Sequence, residues 1–147
     1  MNKEKYYTPK IEKLFIGYEC ETYKKFYEND KLEKEEWGKI QVIPGTLKYL
    51  WENPEDIKRV RTPYLHHEQI EKEGWNHNVI ENKTDKKDFS DSFYTKDNLI
   101  LRLYQGFWNS EILSNRITIM DQHEGIIYKG GCPSINEFRT IINLLNI

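Results

Sequence analysis

The C-terminal third of the chain most constrains what it can fold into. Three segments there read as strands with short connections: Asn98 to Tyr104 (NLILRLY), Ile112 to Met120 (ILSNRITIM) and Gly125 to Lys129 (GIIYK). Sequential strands linked this closely form an antiparallel meander. A helix follows them. Ser134 and Glu137 have capping-box spacing, Pro133 stands just before, and Ile135, Phe138, Ile141, Ile142 and Leu145 make one apolar stripe at helical period. That stripe needs a sheet to lie on. The region is also poor in charge, with nine charged residues among positions 97–147 against 37 among 1–96. It is expected to be the most buried part of the protein.

Composition sharpens this expectation. Alanine does not occur, while Lys (17), Ile (17) and Asn (12) supply 46 of the 147 residues. Such usage looks like the codon bias of an AT-rich genome. Alanine is the best helix former, so its absence tilts the chain toward strands of Ile, Tyr and Phe. Leu, Ile, Val and Phe sum to 37 residues, 25% of the chain, and net charge is -2. That apolar content lies above the roughly 20% level below which disorder sets in, so a folded domain is expected.

The expected organisation is a mobile lead-in over 1–10 and a single domain over 11–147. Basic and acidic residues are balanced in both halves, 14 and 15 in 1–74 and 8 and 9 in 75–147. No basic half exists to counter a phosphate backbone, which argues against duplex nucleic acid as a partner. No apolar run reaches the roughly 18–20 residues of a membrane span, and no signal-peptide core opens the chain. A cytoplasmic protein without membrane association is expected. Cys20 and Cys132 are too few for a disulfide framework and read as reduced, packed thiols.

Upstream, Ile11 to Thr22 alternates, with Leu14, Ile16, Tyr18 and Cys20 on one face, and reads as a strand. Tyr27 to Glu36 reads as a polar connection, and Trp37 to Ile43 as a strand stopped by a turn at Pro44-Gly45. Thr46 to Trp51 is ambiguous. Asn53 suits an N-cap with Pro54 at the first helical position. Arg59 to Tyr64 reads as a strand that Pro63 pushes to an edge. His66 to Glu73 reads as a helix closed by Gly74. Trp75 to Glu81 and Phe89 to Thr95 read as strands around a polar loop, Asn82 to Asp88. The fold class is therefore α+β: an antiparallel sheet of about five to seven strands, a C-terminal helix across it, and one or two short helices.

Candidate chemistry is sparse. His66, His67, His77 and His123 lack zinc-ligand spacing and read as solvated. Asp121 to Glu124 reads as a hairpin turn. Glu19 and Glu21 share a strand face and, with a histidine, could support a metal-assisted hydrolase. Arg59 and Arg61 stand two apart, and with Tyr64, Tyr104 or Trp108 could cradle a nucleotide through forked bonds to phosphate. Phe107 and Trp108, in the expected connection Gln105 to Asn109, offer a contact surface. No nucleophilic triad, phosphate-binding loop or dinucleotide fingerprint is present, and no cofactor is implied.

Three blocks carry a resemblance: KIEKLFIGYE over 10–19, RVRTPYLHHEQIEKEGW over 59–75, and IIYKG through the end of the chain at Ile147. Together they resemble small proteins encoded by crAss-like and other phages of Bacteroidota, with their "GFEYE"-like opening, "YRVKYL…EDIESLGW"-like middle and helical end. The basic residues of the typical end are mostly replaced here, and the resemblance covers about half the chain. The family has no established activity, so the resemblance implies a phage-type accessory protein and no mechanism. The expected function is a non-enzymatic binding module that docks on a host protein or sequesters a small nucleotide-like ligand, as a counter-defence protein would. The hydrolase and a virion or homo-oligomeric assembly protein are the alternatives.

Overall fold

The computed structural model describes residues 5–78, 89–108 and 111–147, with the side chains of 108, 111 and 113 outside that description. The fold is α+β, with two antiparallel sheets. The sequence reading places residues 11–147 in one domain. In the structure the chain divides into two compact units, Met1–Pro63 and Tyr64–Ile147.

The first unit holds a four-stranded sheet of order β1-β4-β2-β3: β1 Tyr6–Tyr7, β2 Glu19–Glu28, β3 Lys31–Gln41 and β4 Val60–Pro63. Tyr6 and Tyr7, in the expected lead-in, pair with Pro63 and Thr62. β4 consequently lies inside the sheet and not at its edge. The expected strand over 11–22 begins only at Glu19. Ile11–Lys13 forms a 3-10 turn, and Gly17 bends the chain at φ +91. Glycine adopts that left-handed region without a Cβ clash, and the bend breaks the pleat. Ile16 is therefore 62% exposed, whereas Leu14, Tyr18 and Cys20 are buried.

The expected polar connection at Tyr27 to Glu36 is also strand. β2 and β3 form a long hairpin that turns at Asn29 and Asp30, with φ of 51 and 61. Two consecutive positive-φ residues make a type I′ turn, whose twist matches the flanking strands. Pro44-Gly45 opens α1, Pro44–Glu52, where the missing N–H of proline leaves no helical bond unmade. Asn53 donates its side-chain amide back to the Tyr49 carbonyl (3.0 Å) and makes no N-cap bond, and a 3-10 turn follows at Pro54–Arg59. Leu14, Tyr18, Cys20, Val42, Leu50 and Val60 form this unit's core.

The second unit is a five-stranded meander of order β5-β6-β7-β8-β9: β5 Asn76–Asn78, β6 Phe89–Lys96, β7 Leu99–Trp108, β8 Glu111–Asp121 and β9 Gly125–Gly131. The rest of the expected Trp75 to Glu81 strand and the loop Asn82 to Asp88 lie outside the described residues. α2 (His67–Lys72) is closed by Gly74 at φ +90, and α3 (Ile135–Leu145) is capped by Ser134, whose hydroxyl accepts from the Asn136 amide (3.2 Å). Both helices pack on one face of the sheet. Ile70, Ile135 and Phe138 join Tyr94, Leu101, Leu103, Ile117 and Ile119 in a single cluster with Trp75.

Asn115 fastens the crossover from β9 to α3. Its backbone carbonyl accepts from Cys132 N–H (2.9 Å), and its side-chain amide donates to the carbonyls of Cys132 (3.1 Å) and Pro133 (3.4 Å). The residue is only 6% exposed, so these carbonyls have little water to turn to. Asn115→Ala is expected to destabilise the second unit by about 1–3 kcal/mol, the usual cost of stranding buried polar groups. Urea unfolding followed by circular dichroism checks this.

Candidate binding surfaces

Alternation along β4 turns Val60 and Thr62 inward and Arg61 outward. Arg61 pairs across the sheet with Glu21, and its Nε donates to Glu21 Oε2 at 3.1 Å. Its guanidinium lies 3.9 Å from the Tyr6 ring centroid and 4.2 Å from that of Trp37. A planar, weakly hydrated cation between two ring faces is well suited to this position, which an ammonium could not fill in the same way. Tyr23 extends the row, 5.3 Å from Trp37, and donates its hydroxyl to Glu35. That bond raises the Tyr23 phenol above its ordinary range.

Three expectations change here. Arg59 is not on a strand beside Arg61 but ends the 3-10 turn Pro54–Arg59. The rings that hold Arg61 are Tyr6 and Trp37, neither of which the sequence singled out. Glu21, offered as a metal ligand with Glu19, is instead engaged by Arg61. Among the described residues, no group of three or more His, Cys, Asp or Glu could hold a metal ion.

Beyond this row the β2–β3 hairpin continues as a two-stranded ribbon. β4 pairs with β2 only at Glu21 and Thr22. Residues 24–36 are exposed throughout. The ribbon is held by cross-strand contacts: Lys25 to Glu35 at 3.7 Å, and Lys34 Nζ 4.7 Å from the Phe26 ring centroid. Near its end the register shifts, and Tyr27 faces Leu32. These side chains are 62% and 50% exposed.

In the second unit, Tyr64 donates its hydroxyl to the Ile112 carbonyl (3.4 Å), and Tyr104 stacks on Phe89 with centroids 5.6 Å apart. The expected connection at Gln105 to Asn109 is largely strand. β7 runs to Trp108, with a register shift between Gly106 and Phe107 that leaves Phe107 half-buried. The Trp108 side chain lies outside the described residues.

His66, His67 and His77 are less solvated than the sequence suggests, whereas His123 is exposed as expected. His67 stacks on His77 (4.5 Å), His77 stacks on Tyr94 (4.8 Å), and the Tyr94 hydroxyl bonds Nδ1 of His67. Burial, and His77 beside it, hold His67 below its usual pKa of 6.5. Burial raises Tyr94, so the phenol keeps its proton beside the imidazole. The pairing His77↔Tyr94 in the sheet and one turn of α2 build this cluster. Cys20 and Cys132 are free and buried, and burial pushes the Cys20 thiol up to about 11 and raises Cys132 further. Neither is an activated nucleophile.

No family model, no curated protein and no solved structure matches the chain. Among the described residues, no helix is long and apolar enough to cross a membrane.

Two outcomes follow from this geometry. Arg61→Lys is expected to destabilise the first unit by about 1–3 kcal/mol, because an ammonium loses the planar stacking and weakens the bond to a mostly buried Glu21 carboxylate. Arg61→Met, which keeps bulk without charge, should lose at least as much in urea unfolding. For His67, the folded pKa lies below the unfolded one, so the unfolded chain takes up the proton first as pH falls. Stability of the second unit is expected to be flat above about pH 6.5 and to decline below it. His67→Gln should remove that part of the decline, seen as a urea midpoint that gains on wild type as pH falls.

Proposed function

We propose that this chain is a non-enzymatic binding module, a phage-type accessory protein whose first unit docks on a host protein. One observation carries the reading. Among the described residues ten large apolar side chains are exposed, and eight of them (Phe15, Ile16, Phe26, Tyr27, Leu32, Ile43, Tyr49 and Trp51) belong to the first unit. Exposed apolar side chains in this number on one small unit mark a contact surface.

The ribbon is the part best suited to enter a partner. Its cross-strand pairs order it before binding, which lowers the entropy lost on docking. Its end presents Tyr27 and Leu32 among Glu28, Asp30 and Glu33, with Lys31 the single cation of that stretch. Such a tip fits an apolar cleft with a basic rim. The hydrolase alternative loses ground because Arg61 already engages Glu21.

The test is capture of host proteins by the immobilised full chain, with the captured proteins identified by mass spectrometry. Tyr27→Ser combined with Leu32→Ser is expected to abolish capture of a specific partner. Folding should hold, since exposed substitutions usually change stability by no more than about 0.5 kcal/mol. Leu144→Ser, on the exposed side of α3, should leave capture intact. Identical captured sets for wild type and the ribbon variant would sink the reading. Self-association in light scattering, abolished by the same ribbon variant, would favour the assembly protein instead.

A further inference from the structure

The second unit's sheet has a face that neither of its helices covers. Alternation sends Tyr94, Leu101, Leu103, Ile117 and Ile119 toward α2 and α3. Residues of the other parity stand on the opposite face, and the strand register sets them in rows. One row reads Phe93, Arg102, Thr118, Lys129 across β6 to β9, and the next reads Asp91, Tyr104, Arg116, Gly131. Two rings and three cations therefore share one face across four strands.

Each part is held in place. Arg102 is gripped by Asp91 through Nε, at 2.8 and 3.0 Å to the two carboxylate oxygens, and its guanidinium lies 5.8 Å from the Phe93 ring centroid. Tyr104 is steadied by Phe89 behind it, the two rings within 26° of parallel. Arg116 and Lys129 are exposed. The two rows hold three cations and one carboxylate, so the face is locally positive although the chain carries a net charge of -2. Beside Arg116, Gly131 contributes no side chain, and a Cβ built there would meet nothing within 4 Å. The floor is open at that point.

We propose that this face binds single-stranded nucleic acid, with bases stacking on Tyr104 and Phe93 and phosphates held by Arg116 and Lys129. Phe93 and Tyr104 are diagonal neighbours on adjacent strands, roughly 7–8 Å apart, so each takes a separate base. Sheet-borne aromatics interleaved with cations recognise unstacked bases, because every base offers a π-face and the backbone offers a charge at each step. A duplex presents no such faces, and the balanced charge of the whole chain supplies no wider field to attract one. A purely apolar protein partner would leave the Arg116 and Lys129 charges to be desolvated without compensation. This site is independent of the ribbon and goes beyond the docking reading.

The experiment is fluorescence anisotropy of labelled oligo-dT and oligo-rU, each about a dozen nucleotides, titrated with the full chain at low and moderate salt. Saturable binding of either strand is expected. Tyr104→Ala and Phe93→Ala should each weaken it by about 5- to 100-fold. Tyr104→Val, which keeps a good strand former, should weaken it to the same degree, separating stacking from folding. Arg116→Gln should lower the slope of log affinity against log salt by about one. Tyr27→Ser in the ribbon should change nothing. The proposal is overturned if neither oligonucleotide binds folded protein, if the ring variants bind as wild type, or if duplex DNA competes equally at the same strand concentration.

Discussion

One-sided burial is the constraint on which both units depend. An antiparallel sheet has two faces, and this chain has short helices enough to cover one face of each. In the first unit Leu50 of α1 meets Cys20 and Val60 on the inner face. In the second, Ile70 of α2 and Ile135 and Phe138 of α3 join Leu101 and Ile119 in one core. Sheets of this kind ordinarily solve the problem with a plainly polar outer face. Here the outer faces carry tyrosine, tryptophan and phenylalanine, so each ring must be satisfied by something other than a helix.

Arginine supplies that solution twice. Arg61 lies between Tyr6 and Trp37 and is neutralised by Glu21, while Arg102 lies over Phe93 and is neutralised by Asp91. A guanidinium is planar and weakly hydrated, so it covers a ring face that a lysine would leave wet. The carboxylate beside it removes the net charge that would otherwise be fixed on the sheet. With five arginines against 17 lysines, most of the scarce residue serves in such paired positions, Arg139 on Glu73 being a third. The two ring-stacked sites differ in one respect that bears on binding. Arg61 has protein rings on both sides, whereas Arg102 has a described ring contact only with Phe93 and shares its surface with Arg116 and Lys129.

The sequence was most legible where burial and local signals agree. The meander and α3 follow from low charge, short connections and a capping serine, all of which act within a few residues. The β2–β3 hairpin was hidden because its strands carry charge at 11 of 21 positions, and solvated ribbons lose the alternation that marks a half-buried strand. The consecutive Asn29 and Asp30, both tolerant of positive φ, were the available signal. Arg61 drew attention for its rarity, but its true partners could not be inferred. Tyr6 and Trp37 come from β1 and β3 and both precede Arg61, by more than fifty and more than twenty residues, and only the order β1-β4-β2-β3 brings them together. The His67–His77–Tyr94 stack was missed for the same reason, since strand pairing creates it.

The pattern of perturbed titratable groups bears on catalysis. Active sites shift pKa values by setting charges and burial against one another in an accessible cleft. In this chain the large shifts belong to Cys20, Tyr94 and Cys132, and the first cause of each is burial within a core. Each is displaced away from neutral pH, toward the inert protonated form. His67 is displaced toward its neutral form by the same cause. The two thiols and the Tyr94 phenol, moved in this direction, are poor nucleophiles at physiological pH, because the thiolate or phenolate is the state that burial disfavours. Of the other groups with shifts, Tyr23, Tyr49, Arg102 and Asp121 owe them first to a local hydrogen bond that fixes a side chain in place, and Tyr128 to burial. Among the described residues the shifts thus accompany packing in the cores and the ordering of side chains on the surface.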